Sequence, residues 1–133
     1  MKYCNKYKKT HHYIPIYGVN INIVFNQDDF KYLCETYQDY KVDRELSKNG
    51  ETLMNLENNE VTIGIFNNDL STIVHESTHA SLFILDTHFM NPSDSNGEAM
   101  AYLQSYLFDL IRKKMKKYIA KVKHKKVKSF EQS

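Results

Sequence analysis

Leu70-Ser-Thr-Ile-Val-His75-Glu76-Ser-Thr-His79-Ala-Ser-Leu-Phe-Ile-Leu85 is the stretch from which the rest of the chain is read. Leu70, Ile73, Val74, Ser77, Ala80, Ser81 and Ile84 recur at i, i+3, i+4 and i+7, the period of a helix with one buried face. Asn67, Asn68 and Asp69 precede the run and can cap its orphan amides. No Pro or Gly interrupts it, and Asn91-Pro92 lies beyond it. The pattern predicts a helix over about 69–87.

Within that helix, His75-Glu76-Ser77-Thr78-His79 is an H-E-x-x-H run. Residues four apart leave one face of a helix, so both imidazoles can reach one metal ion. The intervening Glu76 then lies beside the ion, where a carboxylate can take a proton from bound water. The pattern is that of a zinc hydrolase, most often a peptidase. The competing interpretation is a pair of surface histidines on an ordinary helix. A catalytic zinc needs a third protein ligand. Glu98, 19 residues after His79, opens a second helical run, Glu98-Ala-Met-Ala-Tyr-Leu-Gln-Ser-Tyr-Leu-Phe108. Asn91-Pro-Ser-Asp-Ser-Asn-Gly97 between them reads as a loop, so the two helices can bring Glu98 opposite the histidines. A metzincin-type third His is excluded, because Leu85 stands at its position and Leu82 replaces the Gly. Glu60-Val-Thr-Ile-Gly-Ile-Phe-Asn67 is a short β-branched strand that can supply a sheet edge for substrate.

These residues resemble the gluzincin type of zinc metallopeptidase. His75, Glu76 and His79 match its H-E-x-x-H, and Glu98 matches its downstream glutamate ligand. The sequence is more similar still to small zincin-like proteins encoded by phages and prophages. Their pattern of strand, H-E-x-x-H-A helix, loop and E-A-x-A-Y-L is carried here by His75–Ala80 and Glu98–Leu103. The likeness covers roughly residues 60 to 111 well and the amino-terminal third loosely. It implies a compact α+β fold, a bound Zn2+ and hydrolysis of a peptide or protein substrate. It departs at Tyr102, where thermolysin-like members place an Asp that supports a ligand His; Asp86, Asp94 or a backbone carbonyl are the alternatives here.

Under that resemblance His75, His79 and Glu98 are the metal ligands, and Glu76 is the general base that passes the water proton to the leaving amine. Tyr102, one turn after Glu98, is the first candidate for the donor that stabilises the oxyanion; its alternative is a ring in the helix packing. Tyr106 and His88 are weaker candidates. His11, His12 and His124 are expected to face solvent.

The chain has 133 residues, enough for one domain with one core, with 112–133 as a basic helical tail. The net charge of +2 hides an asymmetry: residues 112–128 hold ten Lys or Arg and no acid, while 1–111 hold eight basic and fifteen acidic residues. Such a tail can make weak contact with nucleic acid or an acidic partner, or be a solvated helix end. No apolar stretch reaches the roughly 20 residues of a membrane-spanning helix, and the amino terminus has no apolar signal core. The expectation is a cytoplasmic protein, in the host cytoplasm if phage-encoded. Cys4 and Cys34 form no C-x-x-C pair and are expected to be free, with Cys34 buried. Two rivals to the peptidase reading follow: a zincin fold that keeps metal without turnover, as a binding or regulatory module, and a protein acting through nucleic-acid binding by its basic tail.

Residues 1–12 are polar and expected to fray. From Tyr13 to Phe25 the chain reads as one or two strands, with Val19, Ile21, Ile23 and Phe25 on one face. A helix over about 29–39 buries Phe30, Leu33, Cys34 and Tyr37. Asn49-Gly50 is the clearest turn signal of the polar 41–59 segment, and Glu51–Glu57 pairs with 60–66 across Asn58-Asn59. A long helix from about 96 to 120 or beyond carries Met100, Leu103, Leu107, Leu110, Ile111, Met115 and Ile119; this stripe also admits a homodimer. The expected architecture is α+β, a minimal zincin-like fold. It has a small, twisted, mostly antiparallel sheet of three or four strands, with the His75–His79 helix and the long Glu98 helix packed together.

Overall fold

The computed structural model describes residues 10–37 and 41–132. Two hairpins and three helices build an α+β fold around one mixed sheet. Strands β1 (His11–Ile14) and β2 (Val19–Val24) form the first hairpin, closed by Pro15–Gly18 with Gly18 at φ +61°. Helix α1 spans Gln27–Tyr37. Strands β3 (Gly50–Asn55) and β4 (Glu60–Ile65) form the second hairpin, in register Asn55↔Glu60 through Gly50↔Ile65. Helices α2 (Leu70–Thr87) and α3 (Glu98–Gln132) follow, separated by a 3₁₀ turn at Asp94–Gly97. The sheet order is β1-β2-β4-β3, and β2 runs parallel to β4.

Period-two burial decides what covers each face. Val19, Ile21 and Ile23 of β2 and Val61, Ile63 and Ile65 of β4 turn to α2 and α3, meeting Ile73, Ala80, Ile84, Leu103, Leu107 and Ile111. Val24 turns the other way, onto Phe30, Leu33 and Cys34 of α1. On this second face the Glu60 carboxylate is buried and accepts from Asn22 Nδ2 at 2.9 Å, which satisfies a polar group that would be costly to bury alone. Burial pushes the Cys34 thiol up from 9.0 to about 12, against the lowering effect of its hydrogen bond with Thr62. Cys34 is a free cysteine, as expected; Cys4 lies outside the described residues. No described helix is long and apolar enough to cross a membrane.

Two expectations need correction. The 60–66 strand was to offer a substrate edge, but β4 is paired on both sides, with β2 and β3, and is buried throughout. The open edge beside the helix is β3. Residues 10–12 were expected to fray and His11 and His12 to face solvent. Instead His11 and His12 belong to β1, pair with Asn22 and Ile21 and are partly buried. Strand pairing overrides the polar character of this segment.

Candidate metal centre

Helix α2 begins where Asp69 Oδ1 accepts from the Ser71 amide at 2.9 Å, with Asp69 in an extended conformation. The Ser71 amide and hydroxyl hold the Asp69 carboxyl below its ordinary value. The helix ends in a Schellman arrangement: the Met90 amide reaches Leu85 O and the Phe89 amide reaches Asp86 O. Phe89 itself takes the left-handed conformation usually given to glycine (φ +56°) and is 98 % exposed. His88 caps this end, its Nε2 lying 2.8 Å from Tyr17 O and its Nδ1 2.7 Å from Ile84 O. Both termini are thus fixed, and the azimuth of every α2 side chain with them.

That azimuth brings His75, Glu76 and His79 to one cleft of about 580 Å³ between α2 and β3. The two Nε2 atoms are 3.1 Å apart and the rings are edge to face. Two imidazole nitrogens this close could hold one ion between them. Both imidazoles are exposed. The Glu76 side chain is buried, with Oε2 3.9 Å from His75 Nε2. Thr52 of β3 donates its hydroxyl to Glu76 Oε1 at 2.9 Å. Phe83 continues the wall one turn beyond His79.

Gly50 and Thr52 are the cleft positions that sequence reasoning missed. Asn49-Gly50 reads as a turn, yet Gly50 is the first residue of β3 and has no left-handed backbone. Its role is spatial: a Cβ there would stand 2.7 Å from Gly64 O, 2.8 Å from Thr72 Cγ2 and 3.0 Å from Glu76 Cγ. The missing side chain lets α2 lie close against the β3 edge, which is what buries Glu76. The only available signal was the hairpin register, which puts Gly50 opposite Ile65 and Thr52 opposite Ile63. Elsewhere on the cleft rim Glu51 is engaged by Arg44 (2.9 and 3.2 Å), which holds its carboxyl below the ordinary value.

Glu98 is not brought to this cleft. It opens α3 as an exposed residue, and it is absent from the cleft lining. Among the described residues no three His, Cys, Asp or Glu side chains gather as a metal shell. The reason lies in how the helices meet. Gln104 of α3 donates to the Thr78 hydroxyl, and Ala101, Ser105 and Phe108 adjoin Val74 and Ser77. Thr78 precedes His79 and Val74 precedes His75, so the flank of α2 that faces α3 lies about 100° round the helix from the histidines. Tyr102 also lies elsewhere: it is 74 % exposed and lines a groove with Ile14, Ile16, Tyr17 and Tyr106. Asp86 and Asp94 are exposed and outside the cleft, and His88 is used as a helix cap.

No family model, curated protein or solved structure matches the chain. The likeness to gluzincins therefore rests on the chain's own residues.

Proposed function

We propose that the protein is a zinc-dependent metallopeptidase of the gluzincin type, similar to the small phage-encoded members, acting on an extended peptide or protein segment. The observation that carries this reading is the 3.1 Å separation of the His75 and His79 Nε2 atoms beside the buried Glu76 carboxylate. His75 and His79 would hold the ion; Glu98, the third ligand that the resemblance implies, lies outside the cleft. A bound zinc supplies Lewis acidity and lowers the pKa of a bound water toward 7. Glu76 takes the proton of the attacking water and hands it to the leaving amine. Thr52 fixes Oε1 of Glu76, so that Oε2 is the oxygen nearer the imidazoles. Strand β3 offers the backbone groups of a sheet edge, to which an extended substrate can add as a further strand.

A second reading is a zinc-binding module without turnover. It is favoured by the position of Glu98 outside the cleft and by the engagement of Glu76 with Thr52. Metal analysis of the zinc-loaded protein together with cleavage of a peptide library separates the two. The peptidase reading expects one zinc per chain, lost in His75→Ala and His79→Ala, and cleavage by the loaded wild type. A fall in zinc affinity in Glu98→Ala would put that carboxylate on the ion, and unchanged affinity would leave it outside the metal shell. Zinc without cleavage gives the second reading, and no zinc at all overturns both.

A further inference from the structure

At the opposite edge of the sheet, β1 and α3 enclose a second cleft of about 450 Å³. Lys114, Lys117 and Lys121 enter it from α3 at spacings of three and four residues, so the three ammonium groups follow one face of the helix. His11 and His12 enter from β1 and Tyr118 from α3. Asp29 is the one carboxylate in the lining, and its Oδ2 accepts from Asn26 Nδ2 at 2.8 Å. Burial, with Lys117 and Lys121 nearby, lowers the Lys114 ammonium from its ordinary value. Burial, with Lys114 and His11 nearby, lowers His12 to about 4, so its ring is neutral at neutral pH. His12 Nε2 is buried with no hydrogen-bond partner among the described residues. The Lys117 and Lys121 charges bear on Lys114, and an anion would relieve that repulsion.

We infer that this cleft, with the lysine track that continues from it, binds single-stranded nucleic acid. Two observations select that ligand. The track is long: Lys125 and Lys128 continue the same face on the exposed end of α3, and from Lys114 to Lys128 a helix advances about 21 Å. A small anion needs one such group and a polyanion needs many. Tyr118 stacks on Phe25 (centroids 5.1 Å apart, planes at 24°) and lies between two of the cleft lysines, where a base can stack on an aromatic already held in place. Cationic grooves that carry aromatic rings are the common means of holding single strands without reading their sequence. The inference is independent of the metallopeptidase reading, since the two clefts share no residue.

Fluorescence anisotropy of a labelled 12-nucleotide oligo-dT with the full chain tests it, over a range of salt. The expected result is saturable binding whose affinity falls with salt at a log–log slope of about −0.7 per phosphate neutralised. Lys117→Gln/Lys121→Gln, both at exposed positions, should weaken binding at least 10-fold and flatten that slope. Tyr118→Leu should weaken binding about 5- to 100-fold while leaving the slope unchanged, a signature that charge alone cannot give. Two results would overturn the inference: a poly-glutamate chain or a 12-base-pair duplex binding as tightly as the oligo-dT, or the double lysine variant binding as tightly as wild type. Circular dichroism melts of each variant confirm that the fold is retained.

Discussion

At the β3 edge of the sheet, the cleft under α2 gathers two imidazoles around a buried carboxylate, whereas at the β1 edge the cleft beside α3 gathers three lysines and two histidines. The two are built by different means. The first depends on close approach: Gly50 lets the helix come near the strand, and Thr52 then reaches Glu76. Its chemistry is set by a few side chains whose azimuth on α2 leaves little freedom. The second depends on accumulation of like charge along one helix face, where no single residue fixes the geometry. Substitutions should therefore act sharply in the first cleft and gradually in the second.

The largest expected effect is on turnover. Glu76→Gln should keep zinc and lower peptide cleavage by at least 10²-fold, while Lys117→Gln/Lys121→Gln should leave cleavage near the wild-type rate. A steady-state assay on a fluorogenic peptide decides this, and native-rate hydrolysis by Glu76→Gln would remove the proposed mechanism. Next comes Gly50→Ala. Its Cβ meets a backbone oxygen at 2.7 Å, which cannot simply move aside, so a loss of about 1–3 kcal/mol in urea denaturation is expected. An unchanged midpoint would mean that α2 does not need its close seat on β3. Phe89→Gly should act in the other direction and touch neither cleft. It relieves a left-handed non-glycine residue that buries almost nothing, for a gain of about 0.5–1 kcal/mol.

A further effect is expected on acid stability. His12 has a folded pKa of about 4 against 6.5 for the free side chain, so the unfolded chain binds the extra proton first. Stability should fall as the pH drops from about 6.5 toward 4, and His12→Gln should flatten the profile in that window. Glu51, whose carboxyl is held down by Arg44, loses its contribution only as the pH falls below 4.5, and is the internal control. Thermal melts across pH distinguish the two.

Much of the fold was legible from residues in local order. The period of Leu70–Leu85 and the Asp69 cap gave α2 within one residue at its amino end, and the alternation at Val19–Phe25 gave β2. The β3–β4 hairpin followed from turn chemistry at 58–59, where Asn59 indeed adopts φ +52°. His75, Glu76 and His79 were legible together because helix geometry relates them directly. What escaped was whatever depends on two distant elements. The spacing from His79 to Glu98 says nothing about which flank of α2 receives α3, and that flank carries Thr78 instead of the histidines. Strand order is likewise non-local: only the parallel pairing of β2 with β4 buries the latter and exposes β3 as the edge. His11 and His12 looked like part of a frayed end because their partners lie on β2 and in the middle of α3.

The parallel β2–β4 pairing also bears on how the molecule forms. It joins Asn20 to Glu60 and Val24 to Gly64, closing a loop of about 40 residues before any contact rewards the closure. The β3–β4 hairpin and α2 need no such closure, since Gly50 through Phe83 is continuous chain. The lysine-bearing cleft needs His11 and Lys114, about a hundred residues apart, to meet. In a refolding experiment, environment at Tyr118 should therefore report the last and slowest assembly step, after the histidine helix has already docked on its hairpin.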